Sequence, residues 1–156
     1  MIISNASPLI YLSKIGRLNL LKNFKNIVVP YEVYEEVVVK GKDFYDVLEI
    51  EKAIKEGWIK VIKINFDKRL AKFAPELDLG EIAVISLSIK LKPDLVLIDD
   101  ASARTIAESV GLNVKGVIYV ILRALKQKKL TKNEALNSIK KLAEFGFRIS
   151  QELYFQ

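Results

Sequence analysis

The chain contains neither cysteine nor histidine. Their absence excludes disulfides, thiol nucleophiles, imidazole acid–base chemistry and Cys/His zinc sites together. Chemistry must therefore rest on carboxylates, hydroxyls, amides or lysines. Also missing are internal repeats, linkers, low-complexity segments and any apolar run of membrane-spanning length. The amino terminus, Met1-Ile2-Ile3-Ser4-Asn5, has no basic segment leading into an apolar stretch and a small-residue cleavage site. The expectation is a soluble, cytoplasmic protein with no membrane association.

What is present suffices for one core: 156 residues, 51% of them hydrophobic, read as a single domain over 1–156. The net charge of +6 is unevenly spread. Residues 115 to 148 hold nine basic and two acidic side chains, so that stretch carries +7 and the remainder −1. Such an excess attracts phosphates, although lysines on outer helix faces often serve only solvation.

Apolar runs alternate with helical patterns, as a parallel sheet covered by helices on both faces requires. Strands are expected at Ile2-Ile3, at Ile27-Val28-Val29, at the lysine-bearing edge Trp58 to Ile64, at Leu95 to Ile98 as the clearest central strand, and from Val114. Ser7-Pro8 fits an N-cap followed by proline at the first helical position. Further helices are expected around Leu18 to Phe24, from Pro30 with Val33 and Val37 inward, over Phe44 to Glu56, Leu79 to Leu91, Ala101 to Val110, Ile118 to Lys128 and Thr131 to Glu144. Asp67 to Pro75 reads as irregular or short-helical. Glu152 to Gln156 resemble a protease-tag site without its asparagine and are read as native.

In open parallel sheets, ligands bind beyond the carboxyl ends of the strands where strand order reverses. Ser4-Asn5 leaves the first strand and Asp99-Asp100 leaves the strand Leu95 to Ile98, so these groups converge if the two strands are neighbours. Adjacent carboxylates repel unless a cation or donor compensates them. Asp99 and Asp100 are thus metal-ligand candidates, or one of them caps the following helix. Asp78 and Glu81 have the spacing of a capping box, and Glu36 lies on an acidic helix face. A set of oxygen ligands without histidine suits Mg²⁺ or Mn²⁺.

Asn5-Ala6-Ser7-Pro8-Leu9-Ile10, Val29-Pro30 to Glu36, Asp78-Leu79-Gly80-Glu81 and Leu97 to Arg104, in this order, resemble the PIN-domain superfamily over nearly the whole chain. The closest likeness is to its prokaryotic, nucleic-acid-binding branch, including the ending Gly146 to Ser150. The resemblance implies a three-layer α/β/α PIN-like fold with a central parallel sheet of four to five strands flanked by helices. It implies a Mg²⁺- or Mn²⁺-dependent ribonuclease, often the toxin of a toxin–antitoxin pair, with RNA as substrate and a small antitoxin protein as partner. Carried over by position, the acidic set is Asn5, Glu36, Glu81 and Asp99 or Asp100, with Glu36, Glu81, Asp99 and Asp100 as metal ligands.

Asn5 departs from the aspartate usual there. Its carbonyl oxygen can face a metal, but it carries no charge and cannot act as a base. Ser7 is a candidate phosphate contact or merely the N-cap, and Arg104 a candidate substrate contact or the partner of Asp100 or Glu108. Two other classes remain open: a domain that binds RNA or a protein partner without cutting, and an unrelated nucleotide-binding fold. Against the last stands the lack of a Gly-rich loop after the first strand. Apolar stretches at Leu12 to Leu21 and Val117 to Leu125 suggest a homodimer or simple core packing.

Overall fold

A computed structural model describes residues 1–39, 45–65 and 68–149. Its centre is a parallel sheet of β1 (Ile2–Ser4), β2 (Ile27–Pro30), β3 (Ile59–Ile62), β4 (Leu95–Leu97) and β5 (Val114–Lys115), in the order β3-β2-β1-β4-β5. Every residue of β1, β2 and β4 is buried, which explains why their sequences are continuous apolar runs rather than alternating ones. The middle strand is β1; β4, paired on both sides and fully buried, is a central strand as expected, and the lysine-bearing β3 is an edge.

The helices are α1 (Ala6–Lys14), α2 (Tyr31–Tyr34), α3 (Tyr45–Glu56), α4 (Lys68–Phe73), α5 (Leu79–Leu91), α6 (Ala101–Ser109), α7 (Val117–Lys126) and α8 (Lys132–Glu144), with a 3₁₀ turn at Leu18–Asn23. They flank the sheet as a three-layer α/β/α arrangement. α1 packs with α3 and α7, and α7 with α8; α5 lies on β1 and β2 with α2 and α4 against it. α5 is apolar all round because it is enclosed: Gly80 to Ser88 are all buried.

Two capping boxes are made. Asp78 caps α5 and Thr131 caps α8, each with a reciprocal bond from the glutamate three residues on. Gly57 and Gly111, at φ +87° and +88°, end α3 and α6 in the left-handed conformation expected of a C′ glycine. Among the described residues no helix is long and apolar enough to cross a membrane. Apolar residues of α1, of the 3₁₀ turn and of α7 enter the chain's own core, where Leu12, Leu18, Leu21, Val117, Val120 and Ile121 are buried, while Leu122 is exposed.

Two local expectations are corrected. Ser7 is not the N-cap of α1; Asn5 holds that position, because β1 ends at Ser4 and the chain turns one residue later. Pro8 is accommodated within the first turn, where its missing N–H loses no helical bond. The helix after Pro30 is ordinary only to Tyr34 and widens to a π turn over Glu35–Val39. Val33 and Val37 are nonetheless both buried as read. Phe44, Asp67, Ser150 and residues 152–156 lie outside the described residues.

Candidate active site

Strand order reverses between β1 and β4, so the carboxyl ends of these two strands bound the crevice this topology provides. β1 pairs with β4 in register, Ser4 opposite Leu97, and the Asn5 N–H donates to the Leu97 carbonyl at 2.9 Å. β1 and β4 are therefore the neighbours that the expected convergence of Ser4-Asn5 with Asp99-Asp100 requires.

Asn5 is 6% exposed, and although it occupies the cap position its side chain makes no capping bond. Its Oδ1 is buried without a hydrogen-bond partner. A Cβ built on Gly80 would lie 2.9 Å from Glu36 Oε2, 3.4 Å from Asp78 Oδ1 and 3.5 Å from Asn5 Oδ1. Three oxygens from three separate elements thus surround one point, and only the absence of a side chain at residue 80 leaves room for them. π turns recur at functional sites, and here one carries Glu36. The crevice beside it, about 460 Å³, is lined by Glu32, Glu35, Glu36, Asp78, Leu79 and Gly80. Glu32 Oε2 is also buried and unpartnered.

Glu81 is 7% exposed; its Oε1 accepts the Asp78 N–H at 3.0 Å, and its own N–H donates to Asp78 Oδ1 at 2.8 Å. Burial raises its pKa above the ordinary glutamate value, and the charges of Asp78, Asp100 and Glu36 raise it further, against the lowering effect of the Asp78 N–H. Asp78, Asp100 and Glu36 therefore each act electrostatically on Glu81. An all-acid crevice repels phosphate unless a cation enters it.

The adjacent aspartates separate. Asp100 is exposed, and its Oδ2 accepts the Ala103 N–H at 3.0 Å as the cap of α6. Asp99 turns the other way. Its Oδ1 accepts the N–H of Val117, the first residue of α7, at 3.0 Å, while Oδ2 is buried and unpartnered. Burial pushes the Asp99 pKa up to about 6, opposed by the Val117 N–H and the Arg104 charge. Arg104 thus acts on Asp99. A side chain at Gly116 would overlap Asp99 Oδ1, so that glycine admits the carboxylate to the start of α7.

These properties have a pH consequence. A carboxyl whose folded pKa lies above its unfolded value gives full stability at acid pH and loses it as pH rises, here between 3.8 and about 6. In chelator, Asp99→Asn is expected to raise Tm by about 2–4 °C at pH 7.5 and to do much less at pH 4. Calorimetric melts at the two pH values check this. An equal shift at both would mean that the Asp99 charge is not the cause.

Among the described residues no three Asp or Glu side chains are gathered closely enough to hold an ion between them. The oxygens nevertheless fit a hard divalent cation in type: an unpartnered amide oxygen of Asn5 with the carboxylates of Glu36, Asp78, Glu81 and Asp100. From the sequence, Asp78 reads only as a cap and Gly80 draws no attention. A lone glycine inside the most apolar helix of the chain is the available signal. Ser7, half-buried, is the second residue of α1, two residues along the backbone from Asn5.

A parallel α/β/α sheet of this strand order, with acidic side chains beyond its strands, is consistent with a nuclease-type fold. The chain matches the PIN-domain family across residues 1–156 and belongs to it. No curated protein matches the chain significantly. Proteins of this family are generally divalent-metal dependent and nucleic-acid binding.

Proposed function

We propose that the chain is a Mg²⁺- or Mn²⁺-dependent endoribonuclease, the toxin of a toxin–antitoxin pair or a related RNA-processing protein, working in the cytoplasm as one PIN unit over residues 1–156. The observation that carries the reading is the approach of Glu36 Oε2, Asp78 Oδ1 and the buried, unpartnered Asn5 Oδ1 to one point over Gly80, beside a Glu81 on which the charges of Glu36, Asp78 and Asp100 act. Glu36, Glu81 and Asp100 would hold the cation, Asn5 would add a neutral oxygen, and Asp99, held by Val117, borders the site. Such a cation supplies Lewis-acid polarisation of a phosphodiester and lowers the pKa of the attacking water. Hydrolysis breaks the P–O3′ bond and leaves 5′-phosphate and 3′-hydroxyl ends. Ser7 offers its hydroxyl to the phosphate in the first turn of α1, where backbone donors and the helix dipole favour anions. Arg104, whose charge acts on Asp99, is the second substrate contact.

A second reading is favoured by the uncharged Asn5: a domain that binds RNA or a protein partner without cutting. Incubation of single-stranded RNA with the purified chain separates the two. Cleavage supported by Mn²⁺ or Mg²⁺, abolished by EDTA and leaving 5′-phosphate ends selects the nuclease; RNA bound and intact in Mn²⁺ selects the second. The partners in this reading are RNA, a small antitoxin protein and a second copy of the chain, the last checked by sedimentation.

Gly80→Ala tests the site without replacing a ligand. The methyl group displaces the flexible end of Glu36, while alanine favours the helix by about 0.5–1 kcal/mol. Tm is expected to hold or rise while Mn²⁺ affinity falls at least about tenfold. Unchanged affinity would remove Glu36 from the ligand set.

A further inference from the structure

We propose that the face of α7 bearing Tyr119, Arg123 and Lys126, headed by Lys115, is a track for single-stranded RNA leading away from the acidic crevice. Tyr119 stacks a base and the cations hold the backbone. The direction of travel rests on the nuclease reading; the track itself does not. Residues 119, 122, 123, 126 and 127 recur at helical spacing and line one groove of about 560 Å³. No carboxylate lines it. Between Glu108 and Glu134 the chain has six basic residues and no acidic one.

Lys115 Nζ lies 5.7 Å from the Tyr119 ring centroid, which sets a cation beside a half-buried aromatic face. The Arg123 guanidinium lies 4.1 Å from the Phe24 ring and is held there by that contact. α7 starts just beyond the carboxyl end of β4, since the Val117 N–H donates to Asp99. Ten residues carry it about 15 Å. At its far end Arg123 also lines a cavity with Met1, Asp94 and Leu95, at the amino ends of the strands. Negative charge at one end and a basic, aromatic face along the helix suit a strand whose backbone is held on α7 while one phosphate enters the crevice. Bases in a duplex present no free face to Tyr119, so the chemistry favours a single strand.

The test is fluorescence anisotropy of a short, unstructured, end-labelled RNA in EDTA, with the full chain. Tyr119→Ala is expected to weaken binding about 5- to 100-fold and Tyr119→Phe to retain it. Lys115→Glu and Lys126→Glu are expected to weaken binding and to flatten its salt dependence, by about 0.7 in log–log slope for each phosphate no longer neutralised. Lys140→Glu, exposed on α8, is expected to stay near wild type. Should Tyr119→Ala fail to fold, Tyr119→Phe and the two charge reversals decide. Wild-type affinity in Lys126→Glu, or an equal loss in Lys140→Glu, overturns the track and leaves the groove to a protein partner or to diffuse charge. The same ranking in a protein that never cuts RNA keeps the track and removes the nuclease reading.

Discussion

Replacing Glu81 by glutamine is expected to lower metal-dependent RNA cleavage at least about 100-fold while leaving the fold intact. Two roles meet in this side chain. Its Oε1 closes the capping box of α5 by accepting the Asp78 N–H, and its charge belongs to the acidic crevice. Glutamine keeps an oxygen for the cap and loses the charge; alanine loses both. Glu81→Ala is therefore expected to cost about 0.5–2 kcal/mol of stability in addition to activity, and Glu81→Gln little or none. Removing a buried charge also relieves the desolvation that raises the Glu81 pKa, so Glu81→Gln in chelator should melt no lower than wild type at neutral pH. Activity and Tm measured together on both variants check this. If both lose activity only in proportion to lost folded protein, Glu81 is a cap and nothing more.

Asn5→Asp is expected to move metal affinity in the opposite direction. The amide oxygen of Asn5 is buried and unpartnered, and it shares the space over Gly80 with Glu36 and Asp78. A carboxylate there adds a charge to a crevice where carboxylates already raise the Glu81 pKa. In EDTA the variant should melt lower than wild type, and saturating Mn²⁺ should reverse the order. Mn²⁺ affinity should rise at least about tenfold and cleavage with it. A variant unaffected by Mn²⁺ in both respects would mean that position five does not face the ion.

Much of the fold is legible in the sequence because the signals are local and redundant. The limits of α5, Leu79 to Leu91, can be read directly, since an apolar run is bounded by a capping box. Gly57 and Gly111 mark helix ends because each needs a positive φ. The pairing of β1 with β4 follows from the reversal of strand order rather than from any single residue. What escapes depends on which way neighbouring atoms point. Ser-Pro matches a cap signature, yet a difference of two positions decides that Asn5 turns the chain. Asp99 and Asp100 are adjacent in sequence and face different helices, one the start of α7 and the other the start of α6. Arg104 follows Asp99 for the same reason. The π turn that carries Glu36 has no signature in the apolar pattern, because Val33 and Val37 stay buried on either side of the transition.

The central claim is that the crevice between β1 and β4 holds a divalent cation. Its most direct test is a calorimetric titration of Mn²⁺ into the wild-type chain and into Glu81→Gln, without RNA. Saturable binding in the wild type that is lost or weakened at least about tenfold in Glu81→Gln is the predicted result. Equal binding in both, or none in either, would contradict it.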